Sequence, residues 1–282
     1  MKMKKILKIT SLISILSVVL FSFYSCNKND DLVTENAKTG GLVNPLTANV
    51  PYKLGVTTTV AVTVAIPQGP GIDKIELYNT YTDAVTGNSS NRMLMKTIAI
   101  GSANASKNDT ISYTVSYAEL IAGLTIDGNP MPANELLLAI GSGWTLEYVT
   151  YVGGRAVTNN ATTNVGVANA YAGLYQCDGV FHHPTAGDRI INAEKFLSAI
   201  SAYEVSSTLG DLGPNYPIKF TVNPTDNSVV VNELPPTAYT VLMQADSNSR
   251  YDPATGMFHV FYYYVGATGN RRVDEHYTPI GK

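Results

Sequence analysis

Between Thr57 and Ile66 the chain sets Val60, Val62 and Val64 on one side and Thr59, Ala61, Thr63 and Ala65 on the other. A two-residue period built from β-branched side chains is the pattern of a strand with one face against a core. Runs of this kind recur between turn signals, the first being Pro67-Gln68-Gly69-Pro70-Gly71. Charged residues make up only 15% of the chain, whereas Thr, Asn, Ser, Gly, Val and Tyr abound. That is the composition of strands and turns, so an all-β fold is expected.

Further strands are predicted at residues 73–78, 92–100, 110–115, 136–140, 145–151, 156–158 and 161–167. One short helix interrupts them, because Ser116-Tyr117-Ala118-Glu119 fits a capping box and would turn Leu120, Ile121 and Leu124 inward. About seven strands at regular spacing over residues 46–168 match an immunoglobulin-like β-sandwich. Trp144 has two readings there, a plug in the sandwich core or a ligand-stacking platform for sugar rings.

Residues 169–282 read as a second antiparallel β domain, closed either as a small barrel or as another sandwich. A strand runs from Tyr171 through Tyr175 to Phe181, and Lys195 to Tyr203 supplies another strand or a mixed segment. Residues 218–222 and 228–232 flank Asn223-Pro224-Thr225-Asp226-Asn227, a hairpin signal, and a strand follows at 239–244. The clearest hairpin pairs 257–265 with 271–278 across residues 266–270. Aromatic and apolar residues on both faces of 257–265 suit a central strand. Alternating charge along 271–278 suits an edge strand that must resist aggregation.

The first 45 residues differ. Lys2, Lys4, Lys5 and Lys8 precede an apolar run to Phe23, which is the build of an export signal over residues 1–25. Phe23 spoils the small-residue pattern that ordinary signal peptidase wants before Ser25, whereas a cut followed by acylation of the Cys26 thiol tolerates it. The segment resembles bacterial lipoprotein signals, which implies lipidation at Cys26, and the acidic stretch after Cys26 is similar to the short signals that send outer-membrane lipoproteins of some bacteria to the cell exterior, which implies an outer-membrane lipid anchor and a surface location. A free or disulfide-bonded Cys26, or a membrane-spanning helix, are the alternatives. Residues 26–45 read as a polar, flexible tether. With Cys26 acylated only Cys177 remains, so stability must come from the core and not from a disulfide.

Without the four signal lysines the chain carries 15 basic against 22 acidic residues, a formal charge near −7. Such a chain repels phosphate backbones, which argues against nucleic acid as a partner. Catalytic signals are thin. The histidines are His182, His183, His259 and His276, and a metal site would need two or three of them to converge with carboxylates; His182 and His183 would point to opposite faces of a strand, and His259 reads as a hydrogen-bonded core or half-buried histidine on the face of Met257 and Phe261. Asp188 and Glu194 carry no spacing that marks an acid/base pair. Cys177, in apolar company, reads as inert. No metal, no cofactor and no enzyme activity are expected.

Tyr171-Ala172-Gly173 with Tyr175, then Gly179, His183-Pro184, Gly187-Asp188-Arg189 and Lys195, look like the carboxy-terminal domain of uncharacterised Bacteroidetes-type surface lipoproteins. Tyr251 to Gly256, Gly123 to Ile126 and Ala139 to Thr145 are similar to the same group. The resemblance implies kinship with lipoproteins that accompany starch-utilisation-like nutrient importers. A non-catalytic accessory of glycan or nutrient uptake is then the leading expectation, with polysaccharide or importer subunits as partners and with Trp144, Tyr262 and Tyr264 as ligand-contacting residues. The alternative is a structural or adhesive surface protein. A hydrolase would require carboxylates or histidines clustered in one cleft.

Overall fold

The computed structural model describes residues 40–234, 240–243, 248–266 and 268–281. Cys26, the export signal and most of the tether lie outside these residues. Among the described residues no helix is long and apolar enough to cross a membrane.

The first half begins with β1 (Asn44–Pro45), β2 (Asn49–Lys53), β3 (Thr59–Ile66), β4 (Lys74–Thr82), β5 (Met93–Ala99) and β6 (Asp109–Ser116). Helix α1 (Tyr117–Ile121) follows, then β7 (Thr125–Ile126), β8 (Asn129–Pro130), β9 (Gly143–Val152) and β10 (Arg155–Ala168). A three-stranded sheet in the order β1-β3-β6 and a five-stranded sheet in the order β2-β10-β9-β4-β5 share one core. Val60, Val62 and Val64 of β3 enter that core with Leu77, Trp144, Leu146 and Tyr148, all buried. The alternation in β3 thus becomes packing, each apolar side chain being removed from water on the inner face. The capping box is formed, with Ser116 accepting from the Glu119 backbone and the Glu119 carboxylate accepting from the Ser116 N–H at 2.8 Å.

The second half consists of β11 (Gly173–His183), β12 (Gly187–Ala199), β13 (Glu204–Thr208), β14 (Pro217–Val222) and β15 (Val229–Glu233), then β16 (Val241–Met243), β17 (Arg250–Asp252), β18 (Met257–Gly266) and β19 (Gly269–Pro279). Their order is β15-β14-β13-β12-β11-β19-β18-β16, with β17 also on β18. The two ends of this sheet meet. Ser228 bridges Arg250, the Val229 N–H donates to Ser249 O at 2.9 Å, and the Val241 N–H donates to a Glu233 carboxylate oxygen at 3.0 Å. The second half is therefore a nearly closed barrel with its own aromatic core, including Tyr175, Phe181, Phe220, Phe258, Tyr262 and Tyr277.

Asn169, which directly follows β10, fastens the chain leaving the first half to the second. Its side-chain amide donates to the carbonyls of Ala202 and Glu204 at 3.2 and 3.1 Å while its oxygen accepts from the Tyr171 and Ala172 backbones. Ala202 reaches into the sandwich core, and Tyr203 packs against both cores.

Four expectations are corrected. Residues 136–140 do not form a strand: Asn134 accepts from the Leu136 N–H and caps a 3₁₀ turn over Glu135–Leu137, leaving Leu137 exposed. A short polar side chain here offers the backbone a local partner before a ladder can. The tether ends earlier than residue 45, because Val43 is buried and β1 pairs with β3. Residues 156–158 and 161–167 are one strand, β10, with a register irregularity between Thr158 and Thr162. Finally, 271–278 is not an edge, since β19 lies between β11 and β18. Its inward residues Val273, Glu275 and Tyr277 are fully buried, so one of the charges read as edge protection, Glu275, sits inside the barrel.

Candidate functional site

The strands β11, β19 and β18 run side by side, so their outward side chains fall into rows across the barrel wall. His182 stands beside Arg272 and Arg272 beside Tyr263; Val180 beside Asp274 and Asp274 beside Phe261; Asp178 beside His276 and His276 beside His259. All four histidines of the chain are on these strands. At the end of β11 the wall and the following turn enclose a groove of about 530 Å³ lined by His182, His183, Pro184, Phe261, Asn270, Arg272 and Asp274.

Local contacts position the four histidines on and beside the groove. His182 Nδ1 lies 2.8 Å from an Asp188 oxygen on β12, its cross-strand neighbour. His183 Nδ1 accepts from the Ala186 backbone N–H at 3.0 Å, which closes the turn into β12 and fixes the ring at the groove edge. The His259 ring packs against Phe261 with centroids 4.1 Å apart, and its Nε2 lies 3.0 Å from Asp274 Oδ1. His276 stacks on His259 at 3.6 Å, nearly parallel, with its Nε2 3.6 Å from the same carboxylate oxygen. Burial holds the His259 imidazole below its ordinary value, against the upward pull of Asp274. The groove thus offers an apolar ring face, a guanidinium, a carboxylate and an amide, while His259, His276 and Asp274 converge as three potential metal ligands. Gly179 permits the wall to form: a Cβ there would meet the Asp274 carbonyl oxygen at 2.1 Å, so only glycine lets β11 approach β19 at this row.

The residues expected to contact a ligand are elsewhere. Trp144 is 1% exposed and enclosed by Tyr52, Tyr81 and Tyr117, with ring centroids 5.1 to 6.1 Å away. It plugs the sandwich core and presents no face to solvent. Tyr262 and Tyr264 point into the barrel, at 0% and 7% exposure. On β18 it is the opposite face, with Phe261 and Tyr263, that meets water. The phenol of Tyr262 donates to Glu275 at 2.9 Å and accepts from the Gly210 N–H, and burial pushes it well above its ordinary value. The Arg271 guanidinium lies 5.4 Å from the Tyr264 ring.

The residues that carried the family resemblance are mostly architectural. Tyr175 is buried and its hydroxyl donates to Tyr171 O; Gly173 opens β11 at φ +145°. Arg189 makes two bonds to Asp211, at 2.6 and 2.7 Å, and its guanidinium covers Phe181. Lys195 lies inside the barrel, donating to Thr208 O, Gly210 O and Glu275. Only His183 and Pro184 of that set line the groove. Cys177 is also interior, 3.5 Å from Glu275, and burial followed by that carboxylate raises its thiol far above the ordinary range. Asp188 and Glu194 are six residues apart on one strand, about 20 Å at 3.3 Å per residue, and so are no acid/base pair. Phe261, Arg272 and Asp274 were given no role from the sequence, and His276 was named only as one of the four histidines. The signal for them was the pairing of β18 with β19, which places Asp274 and His276 beside residues already in view.

A family model described as a "-like, C-terminal" domain matches residues 159–278, a span that contains every groove residue. A solved structure from Bacteroides ovatus, titled as structural genomics of unknown function, is 11% identical. It covers 86% of this chain and 92% of its own, at a TM-score of 0.36. No curated protein matches the chain.

Proposed function

We propose that the protein is a non-catalytic, envelope-anchored binding protein, held by an acylated Cys26 at the outer membrane and facing the exterior as an accessory of glycan or nutrient uptake. The observation that carries the binding role is the barrel groove, where the half-exposed Phe261 is flanked by Arg272, Asp274, Asn270 and His182. Sugar recognition needs an aromatic surface for the apolar face of a ring and fixed polar groups for its hydroxyls, and this groove combines both. The volume of about 530 Å³ lies in the range of small-ligand sites. Nothing in the reading requires proton transfer or a nucleophile, and the one described thiol is buried.

Binding is tested with the full chain in detergent against a broad glycan panel, comparing wild type with Phe261→Ala and Arg272→Ala. Saturable binding weakened by both substitutions supports the reading. Absence of binding to every glycan removes it.

The Asn169 clamp favours a second reading, a stiff spacer that displays a partner-binding surface with no small ligand. Absence of glycan binding together with no capture of importer subunits by the tethered protein would favour this second role.

A further inference from the structure

We propose that His259, His276 and Asp274 form a site for one divalent transition-metal ion of the Zn²⁺ type on the outer wall of the barrel. This goes beyond the ligand-binding reading and does not depend on it.

The placement follows from the hairpin. In the β18–β19 ladder His259 stands directly opposite His276, both outside the barrel, and Asp274 is two residues before His276 on the same face. The imidazoles stack with centroids 3.6 Å apart and planes 24° from parallel, so their edges are presented side by side. Asp274 Oδ1 lies 3.0 Å from His259 Nε2 and 3.6 Å from His276 Nε2, and one ligand atom from each residue falls within 4.8 Å of the others. Around an ion with bonds of about 2.0 to 2.2 Å, adjacent ligand atoms are roughly 3.0 to 3.5 Å apart, so small side-chain shifts would close the set on a metal.

The donor types select the ion class. Two imidazoles with one carboxylate suit zinc and its first-row neighbours, whereas Ca²⁺ and Mg²⁺ call for more oxygen ligands. A hydrogen bond explains the His259–Asp274 contact by itself. It does not explain His276, whose 3.6 Å separation from that oxygen exceeds hydrogen-bond length. Stacking holds the second imidazole at the carboxylate, and the pair is arranged as a chelate before any ion arrives. The His276 side chain is 47% exposed, which gives an ion an approach path and leaves coordination positions for water. Phe261 packs against the His259 ring, with centroids 4.1 Å apart.

The test uses the full chain in detergent, freed of metal by chelation and titrated with Zn²⁺ alone against a chromogenic chelator. The expected result is one equivalent bound with micromolar affinity or better, weakened at least about tenfold by either His259→Gln or His276→Gln and unchanged by His182→Gln. Co²⁺ should give a visible absorption band that His276→Gln abolishes. Zn²⁺ should also raise the unfolding temperature of wild type and not of His276→Gln, since an ion bound only to the native state stabilises it by mass action. Both histidines are partly exposed, and equal unfolding temperatures of the metal-free proteins establish that the substitutions leave the fold intact. If His259→Gln fails to fold, Asp274→Asn takes its place. No saturable binding at millimolar Zn²⁺, or equal affinity in wild type and His276→Gln, overturns the proposal.

Discussion

Lys195 Nζ lies 2.5 Å from Glu275 Oε1 in the interior of the barrel, with side chains only 7% and 0% exposed. The two residues are on β12 and β19, so the pair reaches past the intervening β11. Every charged atom is satisfied: Lys195 also donates to two backbone carbonyls, and the second Glu275 oxygen accepts from Tyr262 and Tyr277. Such a pair specifies which strands meet more than it stabilises them, because desolvation consumes most of the Coulomb gain. Glu275→Leu should destabilise the protein by about 3 to 5 kcal/mol by stranding a buried ammonium. Lys195→Met with Glu275→Leu should cost much less than the two single changes together. Urea unfolding of the three variants measures both.

Core and surface aromatics should separate cleanly. Trp144→Ala removes the centre of an aromatic cluster and should cost about 3 to 5 kcal/mol, with glycan binding by the folded fraction unchanged. Phe261→Ala should leave the unfolding midpoint within about 1 kcal/mol while abolishing or weakening binding. A loss of binding in folded Trp144→Ala would place the ligand in the sandwich instead.

Gly179→Ala should be among the costliest small substitutions. The added methyl meets the Asp274 carbonyl oxygen at 2.1 Å, a backbone atom that moves only if β19 shifts. About 1 to 3 kcal/mol of destabilisation is expected from overpacking, with the Asp274 and His276 row displaced. Denaturation and histidine ring NMR shifts check the two effects.

Acid should weaken the fold through three carboxylates on different elements. Lys219 holds Glu204 below its ordinary value, Arg189 does so for Asp211, and the Ser116 backbone N–H followed by Lys96 does so for Glu119. Because each native pKa lies below the unfolded one, the unfolded chain binds more protons on acidification. Their stabilisation is complete above the ordinary carboxylate range, near pH 4, and is lost as pH falls through the depressed native values. Unfolding temperatures measured from pH 7 to 3 should therefore drop at the acid end, and Glu204→Gln should make that drop shallower.

Thiol counting joins the core to the anchor. Cys177 should be unreactive toward a disulfide reagent in native protein, since its thiol is buried and held protonated. After denaturation, protein isolated from the envelope should yield one titratable thiol if Cys26 is acylated. Two thiols would contradict the lipid anchor.

The sequence by itself determined the strand content, the capping box at Ser116 and the hairpin between β18 and β19, because each depends on residues close along the chain or on composition. It did not determine which face of β18 meets water. A five-residue connection over 266–270 would pair Val265 with Arg271 and set His259 opposite Tyr277. The actual ladder pairs Val265 with Asn270 and Gly266 with Gly269, which brings His259 to His276. With a side-chain period of two, that single step decides what shares a face. Tertiary structure also decided that the charges of β19 are divided, Glu275 going inward to Lys195 and Asp274 outward to the histidines. Only the closure of the barrel, which makes β19 a central strand with one dry and one wet face, could assign them.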